Sequence, residues 1–355
     1  MSGLPSEKRV GVQRYALALS RELSFLPPPS NVREVAIVWC RSQAGTYHVG
    51  EVSPLPGFSR DSLCDSLREF AEIQHRIPPI EDLRLASDEG WGGFLNEIRS
   101  PALRCGLEGV ALDYLFHDAA WCAAHVVTVD IACNALVVSQ SDISLERQIR
   151  YAIERGFSSI KIKVSPETIM DVVACLERLS KLNDINVTWR LDPNRSFSFE
   201  EFVRVMPRLA GIPIEYIEEP VCDIQHLPRL IAQSSIPIAL DETTRELPVA
   251  EWLMWGARYV VIKPTLSGGL LSLRPLIKRI AESSGHVTLS SSFESGIGLR
   301  AIALLASLLP NCGAVGLDTA AFFEDDILLP RFPSGVPRLS LSALVGARFK
   351  GEVGL

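Results

Sequence analysis

Beyond residue 125 the chain alternates short apolar runs with amphipathic stretches, and most of the runs end in charge or hydroxyl. These are IKIKV (160–164), VTWRLDPN (187–194), IEYIEEP (214–220), IPIALDE (236–242), YVVIKP (259–264) and HVTLSSS (286–292). With Cys133–Val138 before them and Ala314–Leu317 after, they predict eight strands. The segments 145–155, 167–182, 199–209, 226–232, 248–255, 270–284 and 299–308 carry helical spacing and fall between them. Asp192, Glu218, Asp241 and Lys263 follow one another at steps of 26, 23 and 22 residues. A parallel strand with its return helix takes about that length. Strand ends of this kind meet at one mouth only if the sheet closes, so the pattern predicts an α/β fold, a (β/α)8-type barrel whose last helix is short or missing.

The first 124 residues have another rhythm. Val12–Leu19 alternates like an edge strand, and a Pro27–Pro29 break follows. Val35–Cys40 and Tyr47–Val52 flank a turn at Ala44–Gly45 and predict a hairpin. Asp61 stands where it caps a helix over 62–75. Residues 103–123 read as one long buried helix. The organisation expected is an α+β capping domain over 1–124, a barrel over 125–325, and a tail over 326–355 whose strand at 338–341 returns to the cap.

Composition narrows the function. Hydrophobic residues make up 47% and charged residues 22%, an ordinary globular balance. A net charge of −7 without a basic block argues against nucleic acid as partner. No run approaches the roughly 20 apolar residues of a membrane span, and MSGLPSEKRVG has no apolar leader core, so a cytoplasmic location is expected. The eight cysteines form no CxxC pair and read as small buried hydrophobes in a reducing compartment. The six histidines show no HxxxH or HxH spacing, which argues against zinc.

The chemistry sits at the strand ends. Lys161 and Lys163 share a strand face and point toward the mouth. Like charges placed together disfavour protonation, and a lysine so perturbed acts as a base near neutral pH. Asp192, Glu218 and Asp241, without histidine or thiol, form an all-oxygen set suited to Mg²⁺ or Mn²⁺. Glu219 competes with Glu218, and the pleat does not choose between them. Any one of these acids alone reads better as a helix cap or an ion pair; three in register read as a site. Lys263 falls across the ring. Ser290 and Ser291, with backbone N–H groups near them, suit a substrate carboxylate, and Gly316 lets a ligand approach the backbone. Together these parts suit removal of a proton α to a carboxylate: a cation holds the enediolate and a lysine takes the proton.

The order KxK (161–163), LDPN (191–194), EEP (218–220), DE (241–242) and IKP (262–264) resembles the enolase superfamily, in its muconate-lactonizing subgroup. GEVSPLPGFS (50–59), RLDPNRSF (190–197), VIKPTLSGG (261–269), SSSFESGIGL (290–299) and GLDT (316–319) are similar to its o-succinylbenzoate synthase family. The resemblance implies Lys163 as base and returning acid, Lys161 as its electrostatic partner and Lys263 as the cation facing the enediolate. It implies Asp192, Glu218 and Asp241 as metal ligands, which selects Glu218 over Glu219. It implies substrate contacts at Ser290, Ser291 and Gly316; Arg190 and Asn194, in the same RLDPN run as Asp192, are taken with them. The implied partner is a small-molecule carboxylate. The implied reaction is syn dehydration of 2-succinyl-6-hydroxy-2,4-cyclohexadiene-1-carboxylate to 2-succinylbenzoate, in menaquinone or phylloquinone biosynthesis. Racemisation of N-succinylamino acids or epimerisation of dipeptides, using Lys163 and Lys263 as facing bases, is the alternative on the same scaffold.

Overall fold

The computed structural model describes residues 8–23, 26–83, 90–138, 143–180, 186–310 and 312–351. Strands β1 (Val10–Leu23), β2 (Ser30–Arg41) and β3 (Tyr47–Val52) form an antiparallel sheet with β2 in the centre. The hairpin between β2 and β3 sets Arg41 opposite Tyr47, and its turn places Gly45 at φ +88°. Helix α1 (Leu63–Ile73) is capped by Ser62 rather than Asp61. The Ser62 hydroxyl accepts the Asp65 N–H, and the Asp65 carboxylate accepts the Ser62 N–H. Asp61 instead accepts the Ser66 hydroxyl at 2.9 Å.

After α2 (Trp91–Asn96), the expected long helix proves to be two, α3 (Pro101–Phe116) and α4 (Ala119–His125). Asp118 breaks it, because its carboxylate takes the N–H groups of Ala120 and Trp121, a local bond that competes with helix continuation. β3 packs against α3 at very short range. A Cβ on Gly50 would fall 1.9 Å from the Gly106 carbonyl oxygen, so only glycine fits there.

β4 (Asp130–Ala132) leads into seven parallel strands in sequential order: β5 (Ala135–Val138), β6 (Ser159–Lys163), β7 (Thr188–Asp192), β8 (Ile214–Glu218), β9 (Ile238–Leu240), β10 (Tyr259–Ile262) and β11 (His286–Leu289). The helices between them are α5 (Leu145–Glu154), α6 (Ile169–Leu179), α7 (Phe199–Leu209), α8 (Leu227–Gln233), α9 (Thr243–Glu246), α10 (Val249–Met254), α11 (Pro264–Ser267) and α12 (Arg274–Glu282); α13 (Gly296–Ser307) follows β11. Most show one buried apolar stripe against the sheet, and Ser198 caps α7 with Glu201 closing a capping box.

The eighth strand is a set of bridges rather than a ladder. Cys312 and Gly316 bridge to Val287 and Ser290 on one side, and Val315 bridges to Cys133 on the other. Gly313 and Gly316 donate to Val287 and Leu289 carbonyls at 3.0 and 2.9 Å, and Val315 donates to Ala132 at 2.8 Å. These bonds close the ring. A 3-10 turn over Asp318–Phe322 stands where an eighth helix would follow.

The tail carries β12 (Leu328–Leu329), β13 (Arg338–Ser340), α14 (Leu341–Val345) and β14 (Arg348–Phe349). β13, whose segment is expected to return to the cap, pairs antiparallel with β4. Contact with β1 runs through the turn instead: Glu324 N–H donates to Ala18 at 2.9 Å, and Leu19 bridges Phe323.

Buried charges join the two layers by ending on backbone. The Glu51 carboxylate accepts the Ser295 N–H (2.9 Å), the Ser295 hydroxyl (2.5 Å) and the Gly298 N–H (2.8 Å), at the first turn of α13. Arg33 donates to the carbonyls of Ser53, Pro54 and Phe293 at 2.6, 2.9 and 3.0 Å. Glu108 accepts the N–H groups of Leu270 and Ser272. All eight cysteines are free. Cys40, Cys105, Cys133 and Cys175 are buried as expected, but Cys64 and Cys222 are exposed. No described helix is long and apolar enough to cross a membrane.

Candidate active site

The strand ends bring three amines and three acids together. Register sets Lys163 on β6 beside Asp192 on β7. Lys163 Nζ lies 2.7 Å from Asp192 Oδ2 and also donates to Asn194 Oδ1. Lys161 Nζ lies 2.7 Å from Asp192 Oδ2 and 2.7 and 2.9 Å from the two oxygens of Glu218. Across the ring, Lys263 pairs with Asp241 Oδ2. The three acids are buried to about 1% exposure, whereas the Lys163 side chain keeps 35% of its surface open. Lys263 and Lys161 keep only 15% and 10%.

Electrostatics follow from this pairing. Burial pushes the Glu218 carboxyl up to about 8, and the neighbouring Asp192 and Asp241 charges push the same way. Burial also acts to raise Asp192 and Asp241, but the lysines outweigh it and hold both low. Lys161 departs from the expectation of an easily lost proton, whereas Lys263 keeps the charge expected of it. Burial would lower Lys161 and Lys263, yet Asp192 and Glu218 raise the first well above its usual value, and Asp241 and Glu218 raise the second. Like-charge repulsion loses here because each ammonium sits in direct contact with a carboxylate.

The donor chemistry, though not the spacing, suits a hard dication: Asp192, Glu218 and Asp241 do not bring one oxygen each within 4.8 Å of one another. All the converging acids offer oxygen, Asp241 Oδ1 is buried without a hydrogen-bond partner, and mutual repulsion is felt at Glu218. The ammonium groups stand between these carboxylates. Among the described residues the only three that bring one candidate ligand atom each within 4.8 Å of one another are His48, Asp113 and His117, in the capping layer.

Glu219 does not join the set. It takes φ +40°, which turns its side chain out of the strand alternation, and it is fully buried. Its carboxylate accepts the N–H groups of Asp241 and Thr243 (both 2.9 Å), the Thr243 hydroxyl (3.0 Å) and Arg195 Nε (3.0 Å). It thereby fixes the backbone that carries Asp241. The sequence gives no direct signal for this. Glu242 is a second acid missed by sequence reasoning: burial, then the Asp241 charge, pushes it up to about 7.

Of the positions taken for substrate contact, Ser290 and Ser291 both turn their hydroxyls to the Gly316 carbonyl, at 3.5 and 2.9 Å. A Cβ on Gly316 would meet Ser290 Oγ at 2.7 Å and push that hydroxyl aside. Asn194 N–H donates to Asp192 Oδ1 at 3.0 Å, which places Asn194 among the groups that hold Lys163 and Asp192. Arg190 departs from expectation. It is 1% exposed inside the barrel and donates to Glu215, Asn134 and the Ala314 carbonyl, with its guanidinium 5.0 Å from the Tyr216 ring. Two residues earlier on β7 than Asp192, it lies a layer further in, and its donors are taken by the barrel itself. The loop at 53–59 leans over the ring: Arg60 donates to the Arg245 carbonyl at 2.8 Å, and Arg245 to that of Phe58.

A parallel barrel with acids and amines at its strand ends and an antiparallel cap defines a class, and comparison agrees. Residues 144–345 match the family described as enolase C-terminal domain-like. The chain belongs to this family, within the enolase superfamily. It is 28% identical over 305 residues to the o-succinylbenzoate synthase of Yersinia pseudotuberculosis, covering 83% of this chain and 85% of that one. It is also 28% identical to the chloroplastic protein PHYLLO of Arabidopsis thaliana over 84% of this chain, which spans only 20% of the length of that relative. The L-Ala-D/L-Glu epimerase of Bacillus subtilis shares the fold, with a TM-score of 0.76 at 19% identity over 92% of this chain and 93% of that one.

Proposed function

We propose that this chain is an o-succinylbenzoate synthase: it dehydrates 2-succinyl-6-hydroxy-2,4-cyclohexadiene-1-carboxylate to 2-succinylbenzoate. The observation that carries the reading is the placement of amines on both sides of a buried acid set, with Lys163 alone retaining an open third of its surface. Relatives that carry this activity in their name and align over most of both chains support the choice of substrate.

Asp192, Glu218 and Asp241 would hold Mg²⁺ or Mn²⁺, which supplies positive charge to the substrate carboxylate. Lys163 takes the proton α to that carboxylate. Asp192 and Asn194 hold its Nζ in place while it does so. Lys161, buried behind, keeps the Asp192 and Glu218 carboxylates compensated. Lys263 faces the opposite side of the ring and balances the negative charge that develops on the enediolate. The proton on Lys163 then passes to the departing hydroxyl on the same face, and water leaves as the ring becomes aromatic. Ser290, Ser291 and Gly316 line the seam where the succinyl side chain lies.

The same scaffold supports racemisation of N-succinylamino acids or epimerisation of dipeptides, with Lys163 and Lys263 as paired bases, and an epimerase is among its structural neighbours. One experiment separates them. The protein is incubated with Mg²⁺ and the cyclohexadiene acid, and the ultraviolet spectrum of the aromatic product is followed. A parallel sample holds N-succinylamino acid in deuterated water. Aromatic product at a kcat/KM above that of deuterium exchange supports the synthase; exchange without aromatic product overturns it.

A further inference from the structure

A second group of ligand-type side chains lies in the capping layer, apart from the barrel mouth. Asp113 and His117 are four residues apart at the C-terminal end of α3 and so share one face. His48 on β3 packs against that face, its ring 4.9 Å from that of His117 in an edge-to-face contact. His48 Nδ1 is 3.8 Å from Asp113 Oδ2, beyond hydrogen-bond reach. One ligand atom from each of the three residues lies within 4.8 Å of the other two.

Two details point to a ligand. His48 is 2% exposed, and its Nδ1 is buried without any hydrogen-bond partner. A polar atom buried without a partner is costly, and a ligand at that nitrogen removes the cost. His117 Nδ1 lies 2.7 Å from the Asp113 carbonyl oxygen, which favours the proton on that nitrogen and a lone pair on Nε2. Asp113 is itself held: Oδ2 accepts the Val49 N–H at 3.0 Å and Oδ1 accepts Arg300 Nη2 at 2.8 Å.

We propose that His48, Asp113 and His117 bind a borderline divalent metal of the zinc class, a site separate from the hard-cation centre and independent of the proposed reaction. Two imidazoles and one carboxylate select zinc or cobalt over magnesium. Bonds of about 2.0–2.1 Å in a tetrahedron set ligand atoms roughly 3.4 Å apart, so the His48–Asp113 spacing is close to that already. His117 completes the set from the solvent side, where its 43% exposure leaves room for water as the fourth ligand. Arg300 shares the carboxylate and weakens its donation, so the site is tested in metal excess.

The test uses the full chain, stripped with chelator and held in excess Mg²⁺ to cover the barrel acids. Co²⁺ is added and its visible absorption followed; Zn²⁺ is then tested for a rise in Tm. One strongly absorbing tetrahedral Co²⁺ per chain and a Zn²⁺-dependent rise in Tm support the site. His117→Ala, an exposed position that leaves the fold intact, weakens Co²⁺ binding by more than the roughly 10–100-fold that loss of an outer-shell partner brings. Its Mg²⁺-dependent turnover stays at the parent rate. Absence of the Co²⁺ spectrum in the parent overturns the proposal. So does equal Co²⁺ binding by His117→Ala, or binding that Asp241→Asn removes and His117→Ala does not.

Discussion

Replacing Glu51 by glutamine alters the contact between β3 and α13. Burial pushes the Glu51 carboxyl up to about 7, against the three hydrogen bonds from Ser295 and Gly298 that act to lower it. An acid raised in the folded state binds its proton more tightly there than in the unfolded chain. Below about pH 4.5 both states are protonated and Glu51 adds nothing to the pH dependence. Between about 4.5 and 7 the unfolded chain ionises first, so stability falls as pH rises. Above 7 the loss levels off, at about 3 kcal/mol from 1.4 kcal/mol for each pH unit of the window. An unfolding entropy of about 2 cal/mol/K per residue makes this roughly 4 °C in Tm for the 355-residue chain. Many other groups titrate over this range, so the informative quantity is Tm of the parent minus Tm of Glu51→Gln, taken by calorimetry from pH 4.5 to 8. It declines by about 4 °C as pH rises, because the amide does not titrate. A difference that stays flat, or that grows with pH, refutes the account: the α13 N-terminus would then be stabilising the ionised carboxylate instead.

Three further outcomes concern the mouth. Lys163→Ala lowers kcat by about 10²–10⁴-fold while Tm stays near the parent value, since its half-open side chain contributes little to the core; a variant that fails to fold makes the lysine structural. Asp241→Asn weakens Mg²⁺ binding measured by calorimetric titration, and unaltered affinity removes Asp241 from the ligand set. Glu219→Gln, whose carbonyl can still accept the Asp241 and Thr243 N–H groups but whose amide N–H₂ meets the Arg195 Nε–H donor, weakens Mg²⁺ binding by about 10–100-fold although it touches no metal; a change in Tm without a change in affinity would limit Glu219 to a structural role.

The barrel was legible because parallel strands and return helices impose a spacing that survives in one sequence. The mouth was legible because isolated charges at the ends of apolar runs need a reason. What was missed has physical causes. Glu219 was left as a rival of Glu218 because strict alternation does not foresee a residue at φ +40° that leaves the pleat. Arg190 was placed a layer too high, since sequence gives the face of a strand residue but not whether its partners lie within the barrel. Lys161 is expected from sequence to lose its proton readily, because sequence does not show that it touches both Asp192 and Glu218. The break at Asp118 depended on a side-chain bond that competes with one more helical turn. The last strand is expected over 314–317, and the structure holds isolated bridges there.

That closure has a mechanical meaning. A cylinder sealed by a handful of single bridges has a seam, and this seam runs beside Ser290 and Gly316 rather than behind the acids. Widening there would leave undisturbed the opposite half, where the charges are set. Amide hydrogens of 312–316 should be the first of the wall to exchange.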